Sequence, residues 1–115
     1  MSGKESVIFI EHMLESIGDI RSFMRGVPKE NLKRNKEKLN AVVRSIEIIG
    51  EAAKSIPGHF KNKHPEIPWR EIVGTRDILI HHYFGIDVNI LWNIITKDLR
   101  VLEKQLLRIK ENLRK

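Results

Sequence analysis

The chain of 115 residues contains no cysteine. That excludes disulfides, thiolate nucleophiles and cysteine-ligated zinc. Aromatic residues are few: four Phe, two Trp and a single Tyr. So small a set offers no obvious stacking platform for nucleic-acid bases. No apolar run reaches the roughly 20 residues of a membrane span. The opening stretch MSGKESVIFIEHML has Glu5, Glu11 and His12 breaking its apolar run and lacks the small-residue cleavage site of a secretory signal. A soluble, cytoplasmic protein with no membrane contact is the expectation. His59 and His64 stand five apart with no carboxylate at ligand spacing, so they read as exposed loop histidines rather than metal ligands. No metal and no cofactor is expected. No strand-like alternation and no long internal repeat occurs.

What is present is a charged, helical pattern. Apolar residues make up 41% and charged residues 31%, the balance of a globular chain rather than a disordered one. The length suggests one domain with a modest core. A formal net charge of +6 favours an anionic partner, whether nucleic acid, nucleotide or acidic protein surface; a generic basic surface is the plain alternative.

Four helices follow from apolar residues recurring at three and four. The first spans about Lys4 to Met24 on the stripe Val7, Ile10, Leu14 and Ile17, and ends at Gly26 and Pro28. The charge-dense stretch 29–38, KENLKRNKEK, reads as the solvated first turn of the second helix, with a basic phosphate path as the functional alternative. That helix continues through Leu39, Val42, Val43, Ile46, Ile49, Ala53 and Ile56 to Pro57-Gly58. Its IGEAA segment (49–53) places a glycine mid-helix, at a cost of roughly 1 kcal/mol against alanine, which implies the close approach of another helix. A connector with one short turn leads to a third helix from Pro68 or Trp69 to Phe84, with Gly85 as its cap. Asp87 is then an N-cap for a fourth helix, with Ile86 and Leu91 stapled across it. Leu91, Ile95, Leu99, Leu102, Leu106, Ile109 and Leu113 form a near-heptad seam along that helix. The expected architecture is an all-α, up-and-down bundle of four main helices plus a short connector helix. The seam and IGEAA are the candidate surfaces for pairing with a second copy.

The stretch RDILIHHYF (76–84) carries the candidate chemistry. Arginine supplies a permanent charge and a planar fork that matches phosphate. Histidine can hold or release a proton near neutral pH, and a helix C-terminus favours its protonated form. Arginine and histidine without a carboxylate cluster suit metal-independent phosphodiester cleavage of RNA. On one ideal helix Arg76 and Tyr83 share a face, whereas His81 lies about 140° away from Arg76. Three solutions stay open: a distorted last turn, long side chains converging at the helix end, or a two-fold dimer that brings two copies together. The bland reading makes Arg76 a surface ion-pair partner of Asp77 or another acidic side chain, His81 a satisfied interhelix histidine and Tyr83 a half-buried core residue with its hydroxyl wet. His82 points to a different helical face from His81 and is left with that bland reading.

Arginine, four residues, histidine, one residue and tyrosine are followed here by FGID and preceded by VVRSIEIIGEAAK and HPEIPWREIVGTR. In this setting the chain closely resembles the HEPN superfamily, and within it the HepT-like toxins of the MntA–HepT type, over roughly residues 5 to 108. The resemblance implies a single HepT-like domain over residues 1–115, a homodimer, and one cleft lined by the motif from both copies. It implies a metal-independent endoribonuclease toxin of a type VII-like pair, acting on RNA, including tRNA. It implies as partner an MntA-like nucleotidyltransferase antitoxin that neutralises the toxin by AMPylation, transferring AMP from ATP to the motif tyrosine. Residue by residue, Arg76 and His81 match the catalytic pair, Asp77 the supporting polar position and Tyr83 the modified tyrosine. Asp77 stands where relatives often carry asparagine. Its charge would weaken RNA binding or orient Arg76 or a histidine. The competing function is a non-catalytic nucleotide- or substrate-binding subunit of a nucleotidyltransferase. A DNA-binding bundle finds less support, since no short helix-turn-helix with a basic recognition helix is evident.

Overall fold

The computed structural model describes residues 2–81 and 85–114. Four long helical arms form an up-and-down bundle, as the periodicity predicts. The first, α1 (Ser2–Met24), buries Ser6, Ile10, Met13, Ile17 and Ile20. The predicted stripe ran through Val7 and Leu14; both are only half-buried, and Met13 and Ile20 take the central places. The reason is that α1 packs on two neighbours, so its apolar face is wider than one stripe. Gly26 stops the helix in a left-handed conformation, φ 71°.

The charged stretch after it is not the first turn of the next helix. It forms a separate short helix, α2 (Lys29–Arg34), whose Leu32 is fully buried. Asn35 divides the two helices: its side chain accepts from the Lys38 backbone N–H at 3.0 Å and so caps α3 (Lys36–Ser55). Helix α3 buries Val42, Val43, Ile46, Ile49, Ala52 and Ala53, in close agreement with the predicted face. The Lys38 ammonium donates to the Phe23 carbonyl at 2.6 Å, which sets the start of α3 beside the end of α1. The two helices are therefore antiparallel.

The connector holds α4 (Gly58–Lys63), anchored by the buried ring of Phe60. His59 is exposed, as expected, but His64 is half-buried, its ring 4.8 Å from that of Phe60 and 3.7 Å from a Glu66 carboxylate oxygen. Helix α5 (Trp69–Leu79) begins where Pro68 and Trp69 predict. The Trp69 indole N–H donates to the His64 carbonyl at 3.0 Å, which fixes that start against the connector.

The end of α5 differs from the expectation of a helix to Phe84. The helix stops at Leu79. Ile80–His81 (β1) and Gly85–Ile86 (β2) form a short antiparallel pair, with Ile80 opposite Ile86 and His81 opposite Gly85. Gly85 is left-handed, φ 78°, but it serves this pair rather than capping a helix. Asp87 is the predicted N-cap of α6 (Val88–Asn93): its carboxylate accepts from the backbone N–H groups of Asn89 and Ile90 at 3.0 and 3.1 Å. Ile86 and Leu91, on either side of it, both pack into the core.

Helix α6 runs into a π-helical turn (Ile94–Asp98) and then α7 (Leu99–Arg114). The sequence shows why. The seam steps by four twice in succession, from Leu91 to Ile95 to Leu99, before settling into alternating threes and fours. Each four-residue step drifts about 40° around an α-helix. A π turn, closed here by the Leu99 N–H bonding the Ile94 carbonyl, absorbs the extra residue and opposes that drift. Leu99, Leu102, Leu106 and Ile109 then all face the core, while Leu113 is exposed. Ion pairs of Arg21 with Glu103 and of Lys110 with Glu11 (3.1 Å) hold α7 antiparallel to α1. Among the described residues no helix is long and apolar enough to cross a membrane.

Both surfaces expected to meet a second copy are consumed inside the chain. The α7 seam is core, and the IGEAA segment packs on α5.

Candidate functional site

Helix α5 is held at three levels before it reaches the motif. Trp69 anchors its start. One turn on, Gly50 of α3 lies so close that a Cβ there would stand 3.3 Å from the Ile72 carbonyl oxygen. The mid-helix glycine thus performs the service its position predicted: it lets α3 and α5 come together. Thr75 donates its hydroxyl to the Glu71 carbonyl at 2.7 Å. The next residue is Arg76.

Arg76 stands in the last turn of α5, and His81 stands in β1, beyond the helix end. The helical angle that separated them by about 140° no longer applies, because the chain leaves the helix at Leu79. Of the three solutions open from sequence, the described backbone bears on one, the break of the last turn. It brings the motif arginine and histidine onto two adjoining elements. The side chains of Arg76 and His81, and the whole of Tyr83, lie outside the described residues. Asp77 is exposed on α5 and shows no hydrogen bond or ion pair among the described residues.

The polarity around the motif helix is uneven. Beside Thr75, a groove of about 380 Å³ runs between α3, α5 and α7. Its floor is apolar, with Ile49, Ile72 and Leu102, and Glu66, Glu71 and Asp98 bring negative charge to it. Such a groove suits a phosphate strand poorly. Val73 and Val101, 37% and 57% exposed, are apolar residues of the two helices that border it.

A second cavity, of about 480 Å³, lies between the end of α1 and the α6–α7 arm. It was not anticipated from the sequence. Arg21, Arg25, Trp92, Thr96 and Arg100 line it, with no carboxylate among its lining residues. The signal was four-residue spacing in two segments far apart in the chain, Arg21 with Arg25 and Trp92 with Thr96 and Arg100. Nothing in either segment alone shows that they meet. The Arg21 guanidinium pairs with Glu103, whose hydrogen bond and charge push its pKa further up. Among the described residues, no group of three or more His, Asp or Glu is arranged to hold a metal ion.

Comparison with known proteins assigns the chain to a family. Residues 13–109 match the family model described as Ribonuclease HepT-like. A protein of Thermococcus cleftensis named "Probable ribonuclease HepT" is 46% identical over 95 residues, 83% of this chain and 86% of the relative. A protein of Caldanaerobacter subterraneus subsp. tengcongensis, named a "Putative RNase", is 42% identical over 107 residues, 93% of each. A Methanocaldococcus jannaschii protein, whose name joins gamma-glutamylcyclotransferase to a "putative RNase", is 40% identical over 112 residues. The match takes 97% of this chain but spans only half the length of that relative. No solved structure matches the chain.

Proposed function

The chain belongs to the ribonuclease HepT-like family, a family of RNA-cleaving enzymes, and from that premise we propose that it is a metal-independent endoribonuclease acting through Arg76 and His81. The observation that carries this reading is the break of α5 at Leu79 within the matched region. It sets the motif arginine at a helix end and the motif histidine on the next element.

The chemistry needs two roles. An imidazole takes the proton of a ribose 2′-hydroxyl, whose oxygen then attacks the adjacent phosphorus. The guanidinium holds the crowded phosphate charge as the bond to the 5′-oxygen breaks. The leaving oxygen takes up a proton, from an imidazolium or from water. The products are a 2′,3′-cyclic phosphate and a 5′-hydroxyl. The net charge of +6 attracts the substrate without selecting its sequence.

Two copies forming one cleft would place two arginines and two histidines around a single phosphodiester. With the α7 seam and IGEAA buried, the apolar face beside α5, with Val73 and Val101, is the surface for that pairing. Regulation fits the same motif. A nucleotidyltransferase would transfer AMP from ATP to the Tyr83 hydroxyl, releasing pyrophosphate. The attached phosphate would place negative charge two residues from His81 and repel the RNA phosphate. The pair would then be a toxin and its antitoxin, with tRNA among the targets.

The test is cleavage of total tRNA in EDTA by protein of confirmed intact mass, beside Arg76→Ala and His81→Ala variants of unchanged melting temperature. Cleavage by the unsubstituted protein alone supports the proposal. Equal cleavage by the variants, or none by the unmodified protein, overturns it.

A further inference from the structure

We propose that the cavity between α1 and the α6–α7 arm is a subsite for single-stranded RNA, in which Arg25 and Arg100 hold backbone phosphate and Trp92 stacks a base. It rests on the reading of the protein as a ribonuclease and adds a place, on other elements than those that carry Arg76 and His81, where the strand is gripped.

Charge is the first support. Three arginines line this cavity and no acidic residue does. Arg21 is satisfied by Glu103, whereas Arg25 and Arg100 are exposed and their guanidinium groups make no ion pair or hydrogen bond among the described residues. Two guanidinium groups with unused donors are suited to phosphate oxygens, which they can engage by paired hydrogen bonds.

Shape is the second. A volume of about 480 Å³ falls in the range of small-ligand sites. That is room for a nucleotide unit rather than a face for a flat protein surface. Trp92 is half-buried, and its indole N–H finds no partner among the described residues, whereas the indole of Trp69 is bonded to the His64 carbonyl. One aromatic face at the wall of a basic cavity is the pairing that single-strand binders use.

The backbone is the third. Trp92, Thr96 and Arg100 follow at four-residue intervals, and in an unbroken α-helix each would drift from the last. The π turn between them opposes that drift, so that all three line one cavity. The Thr96 hydroxyl proton is committed to the Trp92 carbonyl at 2.7 Å, so this side chain offers a base no donor. Phosphate contacts and stacking grip a strand without reading its sequence.

The experiment uses a fluorescein-labelled, 2′-O-methyl RNA octamer, which cannot be cleaved by attack of the 2′-oxygen. Its anisotropy is titrated with the full chain at 50–200 mM salt, together with tryptophan quenching. The Arg25→Gln/Arg100→Gln variant is expected to bind about tenfold more weakly. The slope of log K against log salt should fall by about 1.4, for two lost phosphate contacts on a single strand. Trp92→Phe should lose most of the quenching, since Trp69 is buried. Unchanged affinity and slope in the double variant, with its helical circular dichroism intact, overturns the proposal. So does unchanged RNA binding with loss of poly-L-glutamate binding, which would make this a docking surface for acidic protein. Binding to AMP alone, with none to the octamer, also overturns it. Because the probe is not cleaved, a protein that binds it through this cavity yet leaves tRNA intact refutes the nuclease reading and not the subsite.

Discussion

Gly50 of α3 faces the backbone of Ile72 in α5, and a Cβ at residue 50 would stand 3.3 Å from the Ile72 carbonyl oxygen. That approach positions the helix whose last turn holds Arg76. Alanine at position 50 gains about 1 kcal/mol of helix propensity but must push an α5 carbonyl by a few tenths of an ångström. Gly50→Ala is expected to leave unfolding free energy within about 1 kcal/mol of the parent while lowering RNA cleavage, because α5 moves. Gly50→Val adds a branched side chain to the same gap and should cost about 1–3 kcal/mol. Urea unfolding beside cleavage rates checks both. A stable, fully active Gly50→Val variant would show that the approach is not tight.

Asp87 is the hinge between the motif and the α6–α7 arm. Its carboxylate satisfies two otherwise unbonded N–H groups at the start of α6. Asp87→Ala should lower stability by about 1 kcal/mol, and Asp87→Asn by less, since an amide oxygen can still cap. Thermal melts of the two variants distinguish capping from charge: equal losses would show that the negative charge matters more than the acceptor.

The core of α3 was legible because Val42, Val43, Ile46, Ile49 and Ala53 recur at helical spacing and all face inward. The Asp87 cap and the service of Gly50 were legible for local reasons, one in turn chemistry and one in propensity. The end of α5 was not. Residues 76–84 contain neither glycine nor proline, so nothing in them interrupts a helix before Gly85. The stop at Leu79 comes with pairing to residues further along the chain, Ile80 to Ile86 and His81 to Gly85. Charge density in 29–38 concealed the single buried residue, Leu32, that makes α2 a packed helix. The arginine-lined cavity unites residues some 70 positions apart, a relation no local period carries.

Asp77 follows the motif arginine where an uncharged residue would repel phosphate less. Sequence left two roles open for its charge, weakening RNA binding or orienting a neighbour. Asp77 is exposed and shows no hydrogen bond or ion pair among the described residues, so no contact there supports the orienting role. Asp77→Asn should therefore tighten RNA binding by a few-fold at low salt, the difference shrinking as salt rises. Stability should change by less than about 0.5 kcal/mol, as for other surface substitutions. Weaker binding in this variant, measured by anisotropy at 50 mM salt, would restore the orienting role.

Val101 is 57% exposed on α7, beside the apolar groove that borders α5. Within one copy, replacing so exposed a residue should alter stability by less than about 0.5 kcal/mol. If two copies meet on this face, a charge at the same position is buried against apolar surface and opposed by its symmetry mate. Val101→Lys should then shift the protein from dimer to monomer in light scattering at micromolar concentration. A cleavage site assembled from both copies would lose activity in parallel, and high protein concentration would restore both together. Val101→Ala keeps the face apolar and should change neither reading by more than a few-fold. A Val101→Lys variant that remains dimeric would place the two-fold on another face, away from the groove beside α5.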